Sequence, residues 1–135
     1  MRPPGNDMDT FFNGHISRVE RQVAAMFVIK DAEGGIKEAV RRIIERFHPV
    51  KIILFGSRAR GESRPWSDAD LLVVMPVKGS RRDAATSIDL VLSGIRLPMD
   101  IIVVTPDDVE RGRRVIGSII QTALREGKVL HEVAA

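Results

Sequence analysis

Apolar positions along the chain change their period, and the changes divide it into elements. Ile16, Val19, Val23, Met26 and Phe27 recur at helical spacing and predict a helix that ends near Lys30, after a polar arm over residues 1–13. Gly34-Gly35 reads as a break. Ile36, Ala39, Val40, Ile43, Ile44 and Phe47 then follow the i, i+3, i+4, i+7 pattern of an amphipathic helix, which Pro49 stops. Val50 to Phe55 reads as a first strand, with a short helical turn over Ser57 to Arg60 behind it. Asp68 to Met75 reads as a second strand, closed by Pro76.

The second half is punctuated more clearly. Ser80 is an N-cap, and Ala84, Ile88, Val91 and Leu92 carry its helix to Gly94. Pro98 precedes a third strand, Met99 to Val104. Thr105-Pro106-Asp107-Asp108 then starts a helix, with proline at the first helical position and acids facing the macrodipole. Val109, Val115, Ile116, Ile119, Ile120, Ala123 and Leu124 supply its buried stripe, with an interruption expected near Gly112 or Gly117. Gly127 ends it, and Lys128 to His131 adds a short edge strand. The connection from the first strand to the second is too short for a parallel crossover, so that pair is expected to be antiparallel. The expected architecture is α/β (α+β): a small mixed sheet of three to four strands with helices packed mainly on one face.

Composition narrows the chemistry more than the fold. At 135 residues the chain is expected to form one domain, residues 33–135, preceded by an arm and extra helix at 1–32. No cysteine is present, which excludes disulfides and thiolate-bound zinc; the three histidines, His15, His48 and His131, lack metal-ligand spacing. No stretch has the length of a signal-peptide core or a membrane span, so the expected compartment is the cytoplasm and no membrane partner is implied. The net charge of +3 comes from 21 basic and 18 acidic residues. The basic residues are dispersed in pairs such as Arg41-Arg42 and Arg81-Arg82, which describes solvated helix faces and makes DNA an unlikely partner.

The candidate chemistry sits where the first two strands meet. Gly56-Ser57 ends the first strand, and Asp68-Ala69-Asp70 opens the second. Asp68 and Asp70 are two apart on a strand, so both leave one face with α-carbons roughly 6.6 Å apart. Two carboxylates so placed suit a shared hard cation, and magnesium takes such oxygen ligands together with substrate phosphates. Asp100, near the start of the third strand, could complete a three-carboxylate site for two ions. Gly56 would let a polyphosphate approach the backbone, and Ser57 offers a hydroxyl and an N–H. Arg58 and Arg60 could add charge-assisted bonds to phosphate. A P-loop, a nucleophile elbow and an EF-hand loop are each excluded by spacing.

Gly56-Ser57, then the ten residues Arg58 to Ser67, then Asp68-Ala69-Asp70 and a later acidic strand resemble the signature of the nucleotidyltransferase superfamily that includes DNA polymerase beta. The wording Phe55-Gly56-Ser57-Arg58-Ala59-Arg60-Gly61 is most similar to the minimal (MNT-type) nucleotidyltransferases. The resemblance spans about Ile36 to Glu132. It implies that Asp68, Asp70 and Asp100 bind two Mg²⁺ and act in catalysis, and that Gly56 and Ser57 hold the β,γ-phosphates of ATP or another NTP. It further implies transfer of a nucleotidyl group, AMP when ATP is the donor, to an acceptor hydroxyl with release of pyrophosphate. Many minimal members are antitoxins of HEPN-type ribonuclease toxins, and some adenylylate them. Alternatives are a non-catalytic antitoxin acting by complex formation, or an enzyme acting on a small molecule such as an antibiotic between two copies of a homo-oligomer. Two departures stand out, Trp66 where a polar residue is usual and Ala69 where a larger aliphatic is usual.

Overall fold

The computed structural model describes residues 32–64 and 67–134. The expected N-terminal arm and helix, and Trp66, lie outside the described residues. In chain order the elements are α1 (Ala32–Phe47), β1 (Lys51–Phe55), α2 (Ser57–Arg60), β2 (Ala69–Val74), α3 (Arg81–Val91), β3 (Met99–Val104), α4 (Pro106–Gly112), α5 (Ile119–Glu126) and β4 (Lys128–Glu132). The four strands form one mixed sheet in the order β3-β2-β1-β4. β1 is antiparallel to both β2 and β4, while β2 and β3 run parallel. The parallel pair needs a crossover, and α3 supplies it.

Alternation along the strands divides the core in two. Ile52, Leu54, Leu71, Val73, Ile101 and Val103 face one side, where α1 lays Ile36, Ala39, Val40 and Ile43 and α3 lays Ile88 and Leu92 over them. This is the larger cluster and carries the two longest helices. Ile53, Phe55, Leu72, Val74 and Val104 face the other side, where Ile120 and Ala123 of α5 cover them. The four-stranded mixed sheet is the one expected, and its second face is covered as well, by the shorter α4 and α5.

Two local readings are corrected and a third holds. Gly34-Gly35 does not break the chain; α1 runs through both residues. A β-carbon on Gly35 would stand 3.3 Å from Ile95 Cγ2 and 3.4 Å from Leu97 Cβ, so its bare α-carbon is what lets the helix approach that connection. The stripe after Thr105 is interrupted as expected, α4 ending at Gly112 and α5 starting at Ile119, but not all of it is buried. Gly117 takes φ +83° and Ser118 caps α5 by accepting from Gln121 N–H, so the chain turns between them. Val115, Ile116 and Ile119, expected inside, are therefore exposed, at 55%, 90% and 46%. Pro49 does mark the end of α1, with His48 at φ +49° turning the chain into β1.

Caps fall where the sequence placed them. Ser80 Oγ accepts from Asp83 N–H, and Thr105 forms a full capping box with Asp108. Arg81 also reaches Asp108, tying the start of α3 to the start of α4. That guanidinium holds the Asp108 carboxyl well below the usual carboxylate range.

Candidate active site

The strand directions bring one end of β1 and the starts of β2, β3 and β4 to a single end of the sheet. There β1 leaves Phe55 opposite Asp70, and Asp70 lies beside Asp100 in the parallel register of β2 and β3. Both carboxylates belong to the face that carries Phe55, Leu72 and Val74, by the two-residue period of the strands. Asp68 is exposed just before β2, Asp100 is exposed, and Asp70 is half-buried. The ladder thus sets Asp70 and Asp100 side by side, with Asp68 at the same end of the sheet, just before β2.

Gly56 follows directly, at φ +78° and ψ −158°, and begins α2. Its carbonyl accepts from Ala59 and Arg60 N–H, so the chain turns into a helix at once. A β-carbon at Gly56 would overlap Asp70 Oδ2. The turn and the carboxylate are therefore packed against each other, and the glycine is a packing requirement as well as a conformational one.

The electrostatics are those of crowded negative charge. Burial pushes the Asp70 carboxyl above its ordinary range, the charges of Asp100 and Asp68 push it further, and Arg60 opposes them. Asp89, which sequence reasoning missed, is raised too, by burial and then by Asp100. It falls in the polar positions of α3 and belongs to no motif, so only the packing of α3 beside β3 reveals it.

The two arginines differ in their surroundings. Arg58 donates to the loop's own carbonyls, to Ser67 O from Nε and Nη2 and to Arg64 O from Nη2. Arg60 points to two carboxylates instead, Glu62 at 3.3 Å and Glu126 of α5 at 3.4 Å. Glu126 also lies 3.4 Å from Arg125.

A divalent cation is implied by the fold family, and the donor chemistry at this end of the sheet suits one. A carboxyl such as Asp70, pushed up by burial and by neighbouring carboxylates, is one that a hard cation relieves. As placed, no group of three His, Cys, Asp or Glu among the described residues forms a metal-holding cluster, so the carboxylates form an open constellation.

The nucleotidyltransferase-domain family model matches residues 36–131, and the chain belongs to that family. A crystal structure of a candidate nucleotidyltransferase from Sulfolobus solfataricus is similar in fold, with a TM-score of 0.53 and 21% identity over 88% of this chain and 90% of that one. A toxin–antitoxin crystal structure with AMP-PNP aligns at a TM-score of 0.47 and 20% identity, over 71% of this chain and 73% of that one. No curated protein matches. No helix among the described residues is long and apolar enough to cross a membrane.

Proposed function

We propose that this protein moves a nucleotidyl group, AMP from ATP in the first instance, onto an acceptor hydroxyl of a partner protein in a Mg²⁺-dependent reaction. The observation that carries this reading is the in-register pair Asp70 and Asp100, with Asp70 packed against the turn at Gly56. A site that puts carboxylates beside a turn without a side chain joins metal ligands to a place where phosphate can approach backbone.

Asp68, Asp70 and Asp100 would hold the cation, which when bound supplies charge neutralisation for the triphosphate and the leaving pyrophosphate. The chain's own residues do the rest. The Gly56-Ser57 turn receives the β,γ-phosphates, and Arg60 turns from Glu62 and Glu126 to share their charge. The acceptor oxygen forms a bond to the α-phosphorus as the bridging oxygen to the β-phosphorus leaves with pyrophosphate. Asp100, exposed on its strand, takes the proton of the acceptor hydroxyl.

The acceptor class is drawn from the Phe55-to-Gly61 wording and its likeness to minimal nucleotidyltransferases: a HEPN-type toxin, with this protein as its antitoxin. Incubation with α-labelled ATP, Mg²⁺ and a HEPN protein encoded beside this chain is expected to label that protein, and Asp70→Asn to abolish labelling. Neutralisation of the toxin by Asp70→Asn, with no label transferred from any NTP, would sink the enzymatic reading.

A further inference from the structure

Arg58 and Arg60 stand two residues apart on α2, and at about 100° per residue they project in nearly opposite directions. Arg60 goes outward to Glu62 and Glu126. Arg58 goes inward to the loop. Its Nε and Nη2 donate to Ser67 O at 3.0 and 2.6 Å, and Nη2 also reaches Arg64 O at 3.3 Å.

The loop end it grips is already folded on itself. Arg64 N–H donates to Ser67 Oγ at 2.8 Å, and Ser67 N–H donates to Arg64 O at 2.9 Å. Ser67 immediately precedes Asp68. On the other side of Asp68, Ala69 N–H donates to Pro98 O at 2.9 Å. The backbone is thus anchored on both sides of one exposed carboxylate, once to the helix behind the Gly56-Ser57 turn and once to the approach to β3.

We propose that Arg58 is a positioning residue for Asp68 and not a ligand of the nucleotide. Its guanidinium fixes the carbonyl from which Asp68 departs, so the site's two halves, the turn at Gly56 and the carboxylates of β2, are held in one geometry. Its catalytic consequence rests on the nucleotidyltransferase reading; the clamp itself does not. A lysine cannot replace it, because a single ammonium does not reproduce two donors in a fixed plane.

Three measurements on Arg58→Lys, Arg58→Ala and Arg60→Ala test this, beside thermal unfolding to confirm that each variant folds. In hydrogen exchange, both Arg58 variants are expected to speed exchange at the Ala69 amide, and Arg60→Ala to leave it unchanged. In Mn²⁺ titration followed by electron paramagnetic resonance, loss of Arg58 is expected to weaken binding about tenfold, the usual cost of removing a group that orients a metal ligand. In transfer assays, kcat falls with the Mn²⁺ affinity while KM for ATP stays within about twofold. Arg58→Ala placed on Asp68→Asn adds no further loss, since the clamp acts through Asp68.

A several-fold rise in KM for ATP with unchanged Mn²⁺ affinity would make Arg58 a phosphate ligand and overturn the proposal. Unchanged exchange at Ala69 would overturn it independently. If the wild-type protein transfers no nucleotide at all, the proposed function fails while the exchange measurement still decides the clamp.

Discussion

Replacing Gly56 by alanine separates a backbone cost from a packing cost. At φ +78° and ψ −158° the residue occupies a region essentially reserved for glycine, and an L side chain there costs about 1–3 kcal/mol. The new β-carbon would also overlap Asp70 Oδ2 and lie 3.3 Å from Asp70 Cγ, and displacing that carboxylate adds roughly 1–3 kcal/mol. Together the loss is about 2–6 kcal/mol, a drop in Tm on the order of 10 °C for a domain of this size. Shortening the neighbour tests the division. In an Asp70→Ala background the remaining close atom of residue 70 is its Cβ, at 3.7 Å an ordinary contact, so Gly56→Ala should then cost the backbone strain alone. Urea unfolding of the four proteins, in chelator, yields the cycle, with an expected coupling of about 1–3 kcal/mol. A Gly56→Ala loss under about 0.5 kcal/mol, or a cycle additive to within roughly that amount, would refute the packing of this turn on Asp70.

The remaining expectations concern charge and caps. Because the folded carboxyl of Asp70 is raised above its unfolded value, its contribution to stability is fully present below the ordinary carboxylate range and is lost as pH rises through the raised value. Asp70→Asn should therefore unfold at higher temperature than wild type at pH 7 in chelator, with the gap closing below about pH 4; a variant less stable at pH 7 contradicts the crowding. Glu126→Gln leaves Arg60 fewer counter-charges to abandon, so ATP affinity by calorimetry is expected to rise about twofold to fivefold, and no change in the presence of intact Arg60 speaks against its role at the phosphates. Thr105→Ala removes the hydroxyl of a capping box and should cost about 1 kcal/mol in urea unfolding without altering transfer.

How much of this was legible in the sequence depended on whether the signal was local. Ser80, Thr105-Pro106 and Pro49 act on their own backbone, and each does in the structure what its chemistry dictates. Gly35 does not, because its neighbours Ile95 and Leu97 lie sixty residues along the chain, and a glycine placed for close approach looks the same in sequence as one placed for a turn. The apolar run through Val115 and Ile116 kept its period on paper, yet the helix ends at Gly112 and the turn that follows, with Gly117 left-handed, leaves both side chains in solvent.

The site shows the same division. Strand position, spacing and the family resemblance brought Asp68, Asp70 and Asp100 under suspicion, and the ladder explains the central pair: β2 and β3 set Asp70 beside Asp100 directly, while β1 sets Phe55 opposite Asp70 and delivers Gly56 next to it. Arg58 and Arg60, by contrast, are chemically identical and equally close to the motif, so composition and spacing assign them one role. Only the direction each leaves α2 separates them, one toward carbonyls that end in Asp68 and the other toward carboxylates that a triphosphate could displace. Asp89 carries the point furthest: it has no motif, and the push that burial and then Asp100 give its carboxyl follows from the packing of a crossover helix beside an edge strand. The charge at this end of the sheet is therefore set by the tertiary arrangement around the motif as much as by the motif itself.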